Sequence, residues 1–268
     1  MTALLSILIS TAGERIRHVP DLFLTERADV VYIVSWQNCG ISLPPETKKS
    51  FERNDVELYQ LSGKGLSHNR NNALRHCRTP FALIADDDVS YTEEQINNLL
   101  DLMATHPQVD IFCCRAEGQC GDLLKNYSPA PFGYKSRPSG SYFSSIEIAL
   151  RISKRIPRFD HRFGLGAGFL SCGEEEVFLH DADAAGLNIH YFPLTICRTN
   201  DMQTTGTRFA EDVHVRRSKG AVLCVLHGYW GAVARCLKFY FLHCPLLHFS
   251  ILRDMTDGIR YIEKARRC

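Results

Sequence analysis

Three adjacent carboxylates, Asp86, Asp87 and Asp88, follow directly after the apolar run of residues 81–85. Like charges at the end of a buried strand repel one another, and a nearby cation relieves that repulsion. Mg²⁺ and Mn²⁺ prefer oxygen ligands and bridge them to the phosphates of a substrate. Residues 92–95 also have the spacing of a helix capping box, and acidic residues favour a helix start. The cluster therefore predicts either metal-assisted chemistry on a nucleotide diphosphate or a capped turn between a strand and a helix.

A second segment with chemical potential combines the glycines of residues 164–168 with three glutamates at 174–176. A dinucleotide fingerprint is not favoured, because no strand precedes these glycines and the βαβ setting is missing. Glycines let the backbone approach a ligand closely, and a carboxylate behind such a loop can remove a proton from a hydroxyl. Three glutamates also suit a helix N-terminus for electrostatic reasons alone. The segment predicts a catalytic base or a plain helix start.

Apolar runs alternate with helical patterns along the first half of the chain, which is typical of an α/β fold with a mostly parallel sheet covered by helices. Ligands bind beyond the carboxyl ends of such strands. Ser10, Thr11, Gln37 and the aspartate cluster all fall at predicted strand ends. We predict strands at residues 4–10, 30–35, 56–61, 81–85 and 110–115, and helices at about 15–25, 67–77 and 92–105.

Composition limits the class of protein. The 268 residues are 45% hydrophobic, enough for a full core, and the formal net charge of +1 gives no basic field for nucleic acid. Eleven scattered cysteines without a Cys-x-x-Cys pair predict free thiols in a reducing cytosol. Residues 1–10 lack the basic region and cleavage site of a signal peptide, and residues 221–234 are too short to span a bilayer. We therefore expect a cytoplasmic protein that does not cross a membrane.

Four segments, in this order, resemble those of the family 2 glycosyltransferases, whose Rossmann-like catalytic domain is called the GT-A fold. Residues 5–11 resemble the opening nucleotide-binding strand, and residues 65–74 resemble the Gly-x-Ser-x-x-Arg-Asn segment. The aspartate cluster matches the Asp-x-Asp position. Residues 159–166 and 173–175 resemble the acceptor loop and the Glu-Asp motif that carries the base in inverting members.

The resemblance implies transfer of a sugar from a nucleotide-diphosphate donor, with a UDP-sugar expected, to a hydroxyl of a glycan or lipid-linked glycan, with inversion. It implies Mg²⁺ or Mn²⁺ as cofactor. By the same resemblance, the base is Glu175, the acceptor-binding residues are Glu174 and Asp160, the donor-binding residues are Ser10, Thr11, Gln37, Arg70, Asn71, Asp86 and Asp87, and the metal ligands are Asp86, Asp88 and Asn200.

Two positions depart from the family pattern. Gln37 stands in a Trp-Gln-Asn segment where many relatives have an acidic residue that contacts the nucleobase. Asn200 stands where many have a histidine ligand, and an amide oxygen is a weaker ligand than imidazole for a transition metal, although acceptable for Mg²⁺. We therefore expect modest metal affinity.

We expect a catalytic domain at residues 1–210 and a helical extension at 211–268 that packs on it. The irregular residues 117–145 are predicted to form an acceptor-side loop. Residues 223–252 are rich in aromatic and apolar side chains, with Arg235 and Lys238 among them. They predict either core-facing helices or a surface that rests on an anionic membrane, at the inner face of a bacterial cell.

Two other functional classes remain open. One is a catalytically silent GT-A-like module that binds a nucleotide. The other is a sugar nucleotidyltransferase, although residues 11–15 lack the glycine-rich, basic loop expected of that class.

Overall fold

A computed structural model describes residues 3–199, 205–243 and 249–267. The chain forms two compact units. The first comprises Met1–Lys64, His68–Arg158 and Asp181–Met202; the second comprises Gly65–Ser67, Phe159–His180 and Gln203–Cys268. The domain division at residue 210 stays a prediction.

The first unit is built on one mixed sheet, which confirms the predicted fold class. Its order is β3-β2-β1-β4-β8-β6-β9-β5, and β7 pairs with β9. Strands β1 to β4 are parallel, whereas β8 is antiparallel to both β4 and β6. The strands are β1 Leu5–Ala12, β2 Val30–Gln37, β3 Val56–Leu61, β4 Phe81–Asp86, β5 Val89–Ser90, β6 Ile111–Gly118, β7 Phe132–Gly133, β8 Ile148–Arg151 and β9 Ile189–Thr199.

Burial explains why the central strands read as continuous apolar runs. Seven of the eight residues of β1 and the four middle residues of β4 are buried. A parallel strand that is covered on both faces has no solvent side on which polar residues could alternate. The parallel register of β1 to β4 places the ends of these strands next to one another at the carboxyl edge of the sheet.

The described helices are α1 Pro45–Lys48, α2 Leu66–His76, α3 Glu93–Thr105, α4 Glu174–Ala184, α5 Val213–His243 and α6 Phe249–Arg267. Helix α3 begins with the capping box that its sequence indicates. The Gln95 amide donates to the Thr92 hydroxyl over 3.1 Å, and the Thr92 amide donates to the Gln95 side chain over 2.9 Å. The capped-helix interpretation of this segment is thus compatible with a functional role for the preceding aspartates.

The helix predicted at residues 15–25 is wrong. The chain instead makes a 3₁₀ run, Gly13–Leu22, that contains Pro20. Proline lacks an amide hydrogen and disfavours the α conformation in the residue before it, so a regular α-helix cannot continue there. Residues 117–145 are mostly irregular, as predicted. The exceptions are the end of β6, β7, a bridge between Glu117 and Leu123, the 3₁₀ turn Tyr134–Ser136 and the start of another at Ser145.

In the second unit, α5 and α6 pack closely at two glycines. A side chain at Gly220 would collide with the backbone of Met255, and one at Gly258 would collide with the backbone of Arg217. Buried side chains from both helices, including Ala221, Cys224, Met255 and Ile259, form the core of this unit. The fit of the two helices therefore depends on residues without a β-carbon.

By length and composition alone, the segment Val213–Leu242 of α5 could cross a membrane, and it is the one such segment within the described ranges. The expectation that no segment is long enough is wrong in this respect, because the apolar helix continues through Arg235 instead of ending there. Only 28% of its most apolar window is buried. Gly228, with a φ of 69°, interrupts the regular helix.

Candidate active site

The carboxyl edge of the first unit's sheet brings four predicted site residues to neighbouring positions. Ser10 on β1 is paired in register with Asp86 on β4, and Ala12 is paired with Gln37 on β2. Ser10, Thr11 and Gln37 are almost fully buried. The strand ends therefore assemble this cluster as expected, and its donor-binding role stays a prediction.

Asp86 is held by a buried arginine. Nη2 of Arg70 lies 3.0 Å from one Asp86 carboxylate oxygen and 2.6 Å from the hydroxyl of Ser145. The Ser145 hydroxyl in turn lies 3.2 Å from the other oxygen of Asp86. Arg70 is 3% exposed, whereas the side chain of Asp86 is 31% exposed, so one side of the carboxylate remains accessible.

Asp87 is more deeply buried than its two neighbours. It is 5% exposed and accepts hydrogen bonds from the Thr11 hydroxyl over 2.6 Å and from Nε of Arg15 over 2.8 Å. Asp88 is 34% exposed, and its carboxylate lies 3.1 Å from Nη2 of Arg15. Asp87 thus fastens the turn, while Asp86 and Asp88 keep about a third of their side chains exposed.

Carboxylate oxygens are ligands that a divalent cation prefers, and Asp86 and Asp88 stay the predicted metal ligands. Burial raises the pKa of Asp88, and the charge of Asp86 raises it further. A cation beside both groups would stabilise the ionised form.

Within the described part of the chain no cluster of three or more His, Cys, Asp or Glu side chains forms a metal site. Mg²⁺ needs only one or two carboxylates when substrate phosphates and water complete its shell. Asn200, the further predicted ligand, lies outside the described residues.

Several polar residues of α2 connect this helix to the sheet. The Asn69 side chain donates to the backbone oxygen of Thr11 over 2.9 Å, and the Asn72 side chain donates to the Ser35 hydroxyl over 2.9 Å. Asn71, a predicted donor-binding residue, is also buried. The asparagine-rich helix therefore has a structural role in supporting the strand ends, in addition to carrying Arg70.

The glycine-rich loop belongs to the second unit. The Ser67 hydroxyl donates to the Phe163 carbonyl over 2.7 Å, and the Leu66 amide donates to the Leu165 carbonyl over 2.8 Å. Gly164 has a φ of 101°, and a β-carbon there would lie 3.2 Å from the Glu174 carboxyl carbon. Glycine is needed at this position for both its backbone conformation and its close approach to Glu174.

The two predicted acidic residues at the start of α4 have different environments. Glu174 is 4% exposed, whereas Glu175 is partly exposed. A proton acceptor must be reachable by the acceptor hydroxyl. Of the two, Glu175 is therefore the better placed for that role.

Asp160 is engaged within its own loop. Its carboxylate accepts hydrogen bonds from the Arg162 backbone amide over 2.9 Å and from Nη2 of Arg162 over 2.5 Å. Burial would raise the pKa of Asp160, but these bonds outweigh that effect and lower it. Asp160 therefore helps to order the loop through Arg162, and its acceptor-binding role stays a prediction.

Sequence reasoning missed two residues at the first unit's site. Arg15 lies three residues beyond β1, and its position after a strand end is the signal that could have drawn attention to it. Ser145 lies at the end of the irregular loop, and no local motif marks its contact with Arg70 and Asp86.

Comparison of the sequence with known protein families gives one match. The profile of glycosyl transferase family 2 matches residues 45–160, a range that includes Arg70 and the aspartate cluster. No curated protein sequence matches the chain.

Solved structures share the fold at low sequence identity. S. aureus TarS residues 1–349 is 13% identical, with a TM-score of 0.62, and the match covers 98% of this chain and 91% of that one. The same protein in complex with UDP-GlcNAc is 12% identical, with a TM-score of 0.63 and coverage of 98% and 81%. The mannosyltransferase PcManGT from Pyrobaculum calidifontis, in complex with GDP-Man and Mn²⁺, is 12% identical, with a TM-score of 0.53 and coverage of 100% and 87%.

The family match, on a chain with the fold of these enzymes, confirms the resemblance drawn from the sequence motifs. The chain has the GT-A fold of these glycosyltransferases, and its residues 45–160 match glycosyl transferase family 2.

Proposed function

We propose that this glycosyltransferase moves a sugar from a nucleoside-diphosphate donor to an acceptor hydroxyl, with inversion at the anomeric carbon and with the help of Mg²⁺ or Mn²⁺. The observation that carries the proposal is the alternation within the aspartate cluster. Asp86 and Asp88 are partly exposed at a strand end, while Asp87 between them is buried and hydrogen-bonded. That pattern supplies two accessible carboxylates on a fixed backbone.

On the donor side, Asp86 and Asp88 would hold the cation. When bound, the cation neutralises the negative charge that builds on the leaving diphosphate. Arg70 adds a fixed positive charge beside Asp86, and its burial means that little reorganisation is needed as charge develops. Ser10, Thr11, Gln37 and Asn71 are assigned to donor binding at the same sheet edge.

On the acceptor side, Glu175 acts as the base. Its carboxylate takes the proton from the acceptor hydroxyl as the hydroxyl oxygen bonds to the anomeric carbon. The bond from that carbon to the diphosphate oxygen breaks, and the nucleoside diphosphate leaves. Glu174 and Asp160 are assigned to the acceptor loop, where Glu174 would bind acceptor hydroxyls.

A UDP-sugar is the first donor to test, since TarS is described in complexes with UDP-GlcNAc and with UDP. PcManGT is described with GDP-Man and Mn²⁺, so GDP-sugars belong in the same panel. We assign the acceptor to glycans or lipid-linked glycans, and the reaction to the cytoplasmic face of a bacterial membrane.

The products distinguish this function from its competitors. The protein is incubated with nucleotide sugars and Mg²⁺ or Mn²⁺, and nucleoside diphosphate and pyrophosphate are both quantified. A transferase releases nucleoside diphosphate, and we expect that result. Release of pyrophosphate would identify a nucleotidyltransferase. A protein that releases neither and binds no nucleotide in calorimetry would be a silent module.

A further inference from the structure

The second half of α5 exposes an apolar stripe. Six of the ten large hydrophobic side chains found exposed in the described residues fall between positions 229 and 249. Trp230 and Phe241 are 79% and 76% exposed. Ala234 and Leu237 lie between these two residues in the sequence. The four positions have the spacing i, i+4, i+7 and i+11, so their side chains share one face of the helix.

The opposite face of the same helix is the one that packs in the protein. Ala232 and Cys236 are buried in the core that α5 shares with α6. The exposed stripe is therefore additional to the core-facing stripe, and not part of it. Leu242, near the end of α5, and Phe249, at the start of α6, are also exposed, at 63% and 71%.

Positive charge accompanies this surface. Helices α5 and α6 contain ten lysines and arginines but three acidic residues, in a chain whose net charge is +1. One of the three, Asp254, is buried and pairs with Arg216 over 2.8 Å, so it adds little negative charge at the surface. Arg235 and Lys238 lie exposed on the same segment as the stripe.

Aromatic and basic groups also meet in a cavity of about 610 Å³ at the head of the stripe. It is lined by Tyr229, Trp230, Arg260, Glu263 and Lys264. Aromatic rings favour the headgroup level of a bilayer, where one edge is apolar and the other is hydrated. Basic side chains near the surface attract anionic headgroups.

We propose that the exposed face of α5 from Trp230 to Leu242, together with Phe249, docks on the surface of an anionic lipid bilayer. The helix lies on the bilayer and does not span it. Gly228 breaks the helix. The part of α5 before that break carries Arg216, Arg217 and Lys219 and packs against α6 through Ala221 and Cys224. Apolar insertion together with electrostatic attraction is how interfacial helices bind.

The inference rests on the membrane location given in the proposed function and adds the particular helix face that makes the contact. Lipid binding is measured without donor or acceptor. Its failure would therefore leave the transferase proposal standing, and a failed transferase assay would leave lipid binding standing.

Tryptophan emission gives a direct test, because the chain has two tryptophans and Trp36 is fully buried. The intact protein is mixed with phosphatidylcholine vesicles, with or without phosphatidylglycerol. We expect a blue shift from Trp230 and co-flotation with the anionic vesicles only. Trp230→Phe should lose the shift while still floating with the vesicles. No flotation with anionic vesicles, or equal flotation with both kinds, would overturn the proposal.

Matched variants test the contributions of apolar insertion and of electrostatic attraction to vesicle binding. Phe241→Ser should weaken vesicle binding about tenfold, because an inserted aromatic side chain is lost. Lys238→Gln should weaken it about fivefold and reduce its salt dependence. Leu4→Ser, at an exposed leucine of the first unit, should leave binding unchanged. Circular dichroism melts identify any variant that fails to fold.

If sedimentation instead shows a dimer that Phe241→Ser converts to a monomer, a second copy covers this face and the proposal is overturned.

Discussion

The guanidinium of Arg15 lies 3.1 Å from the carboxylate of Asp88, measured from Nη2 to Oδ2. The same guanidinium is hydrogen-bonded to Asp87 through Nε. Arg15 is therefore a cation supplied by the chain itself to a carboxylate that we assign to metal binding. More than half of the Arg15 side chain is exposed, so it can leave Asp88 without unfolding its surroundings.

We predict that Arg15→Ala raises the Mn²⁺ affinity of the donor-free protein about twofold to fivefold, the range expected for loss of one exposed ion pair. Calorimetry or electron paramagnetic resonance with Mn²⁺ alone measures this affinity. Arg17→Ala is the matched control, since Arg17 is exposed on the same 3₁₀ run and pairs with Glu14. Equal effects of the two variants would mean that only overall charge matters and that Arg15 does not compete for Asp88.

The pH dependence of metal binding follows from Asp88. Burial and the charge of Asp86 raise its pKa, so Asp88 takes up a proton at higher pH than an ordinary aspartate. Metal ligands must be deprotonated. We expect Mn²⁺ affinity in the absence of donor to fall as the pH is lowered through this raised value, before ordinary carboxylates titrate. Asp88→Asn should bind more weakly and lose this pH step; a step that persists in the variant would assign it to another group.

Glu175 and Glu176 form a matched pair for testing the base. Both are glutamates of the first turn of α4. Glu175→Gln should lower the rate of sugar transfer roughly 10²- to 10⁴-fold, the usual contribution of a general base. Glu176→Gln should remain within a few-fold of wild type. A comparable loss in both variants would point to a structural role of the acidic turn, and thermal melts of the two would then show the same destabilisation.

The first unit contains a buried charged cluster around Glu147. Glu147 is fully buried and accepts hydrogen bonds from Nζ of Lys125 over 2.9 Å and from the hydroxyl of Tyr127 over 2.6 Å. Lys125→Met removes the basic group that is hydrogen-bonded to the Glu147 carboxylate. At neutral pH we expect a loss of about 3 kcal/mol in the free energy of unfolding, typical of a buried charge left without its partner.

The sign of the accompanying pH effect follows from linkage. Burial raises the pKa of Glu147, so the folded protein holds this proton more tightly than the unfolded chain does. The stability that protonation provides is present at low pH and is lost as the pH rises through the folded-state value. The deficit of Lys125→Met should therefore shrink in acid, as measured by urea unfolding across pH. Lys154→Met, at an exposed lysine, is the control; a deficit in Lys125→Met that is constant with pH would contradict the interpretation.

Local patterns were sufficient to predict β1 to β4, β6, α2 and α3, because buried parallel strands and a capped amphipathic helix have strong periodic signals. They could not reveal β8, whose four residues form a strand only because β4 and β6 flank it on both sides. Arg70 and the aspartates were predicted through adjacent motifs. Ser145 was not, since its contact with Asp86 joins residues 59 positions apart and depends on how β8 returns the chain to β4.

The most direct measurement is nucleoside diphosphate release from a panel of UDP-, GDP- and dTDP-sugars, with Mg²⁺ or Mn²⁺ and in chelator. Wild type is compared with Asp88→Ala and with Asp101→Ala, which changes an exposed aspartate of α3. We predict metal-dependent release from one donor, retained in Asp101→Ala and reduced roughly 10²- to 10³-fold in Asp88→Ala. Full release in chelator, or full activity of Asp88→Ala, would contradict metal-assisted transfer at this cluster.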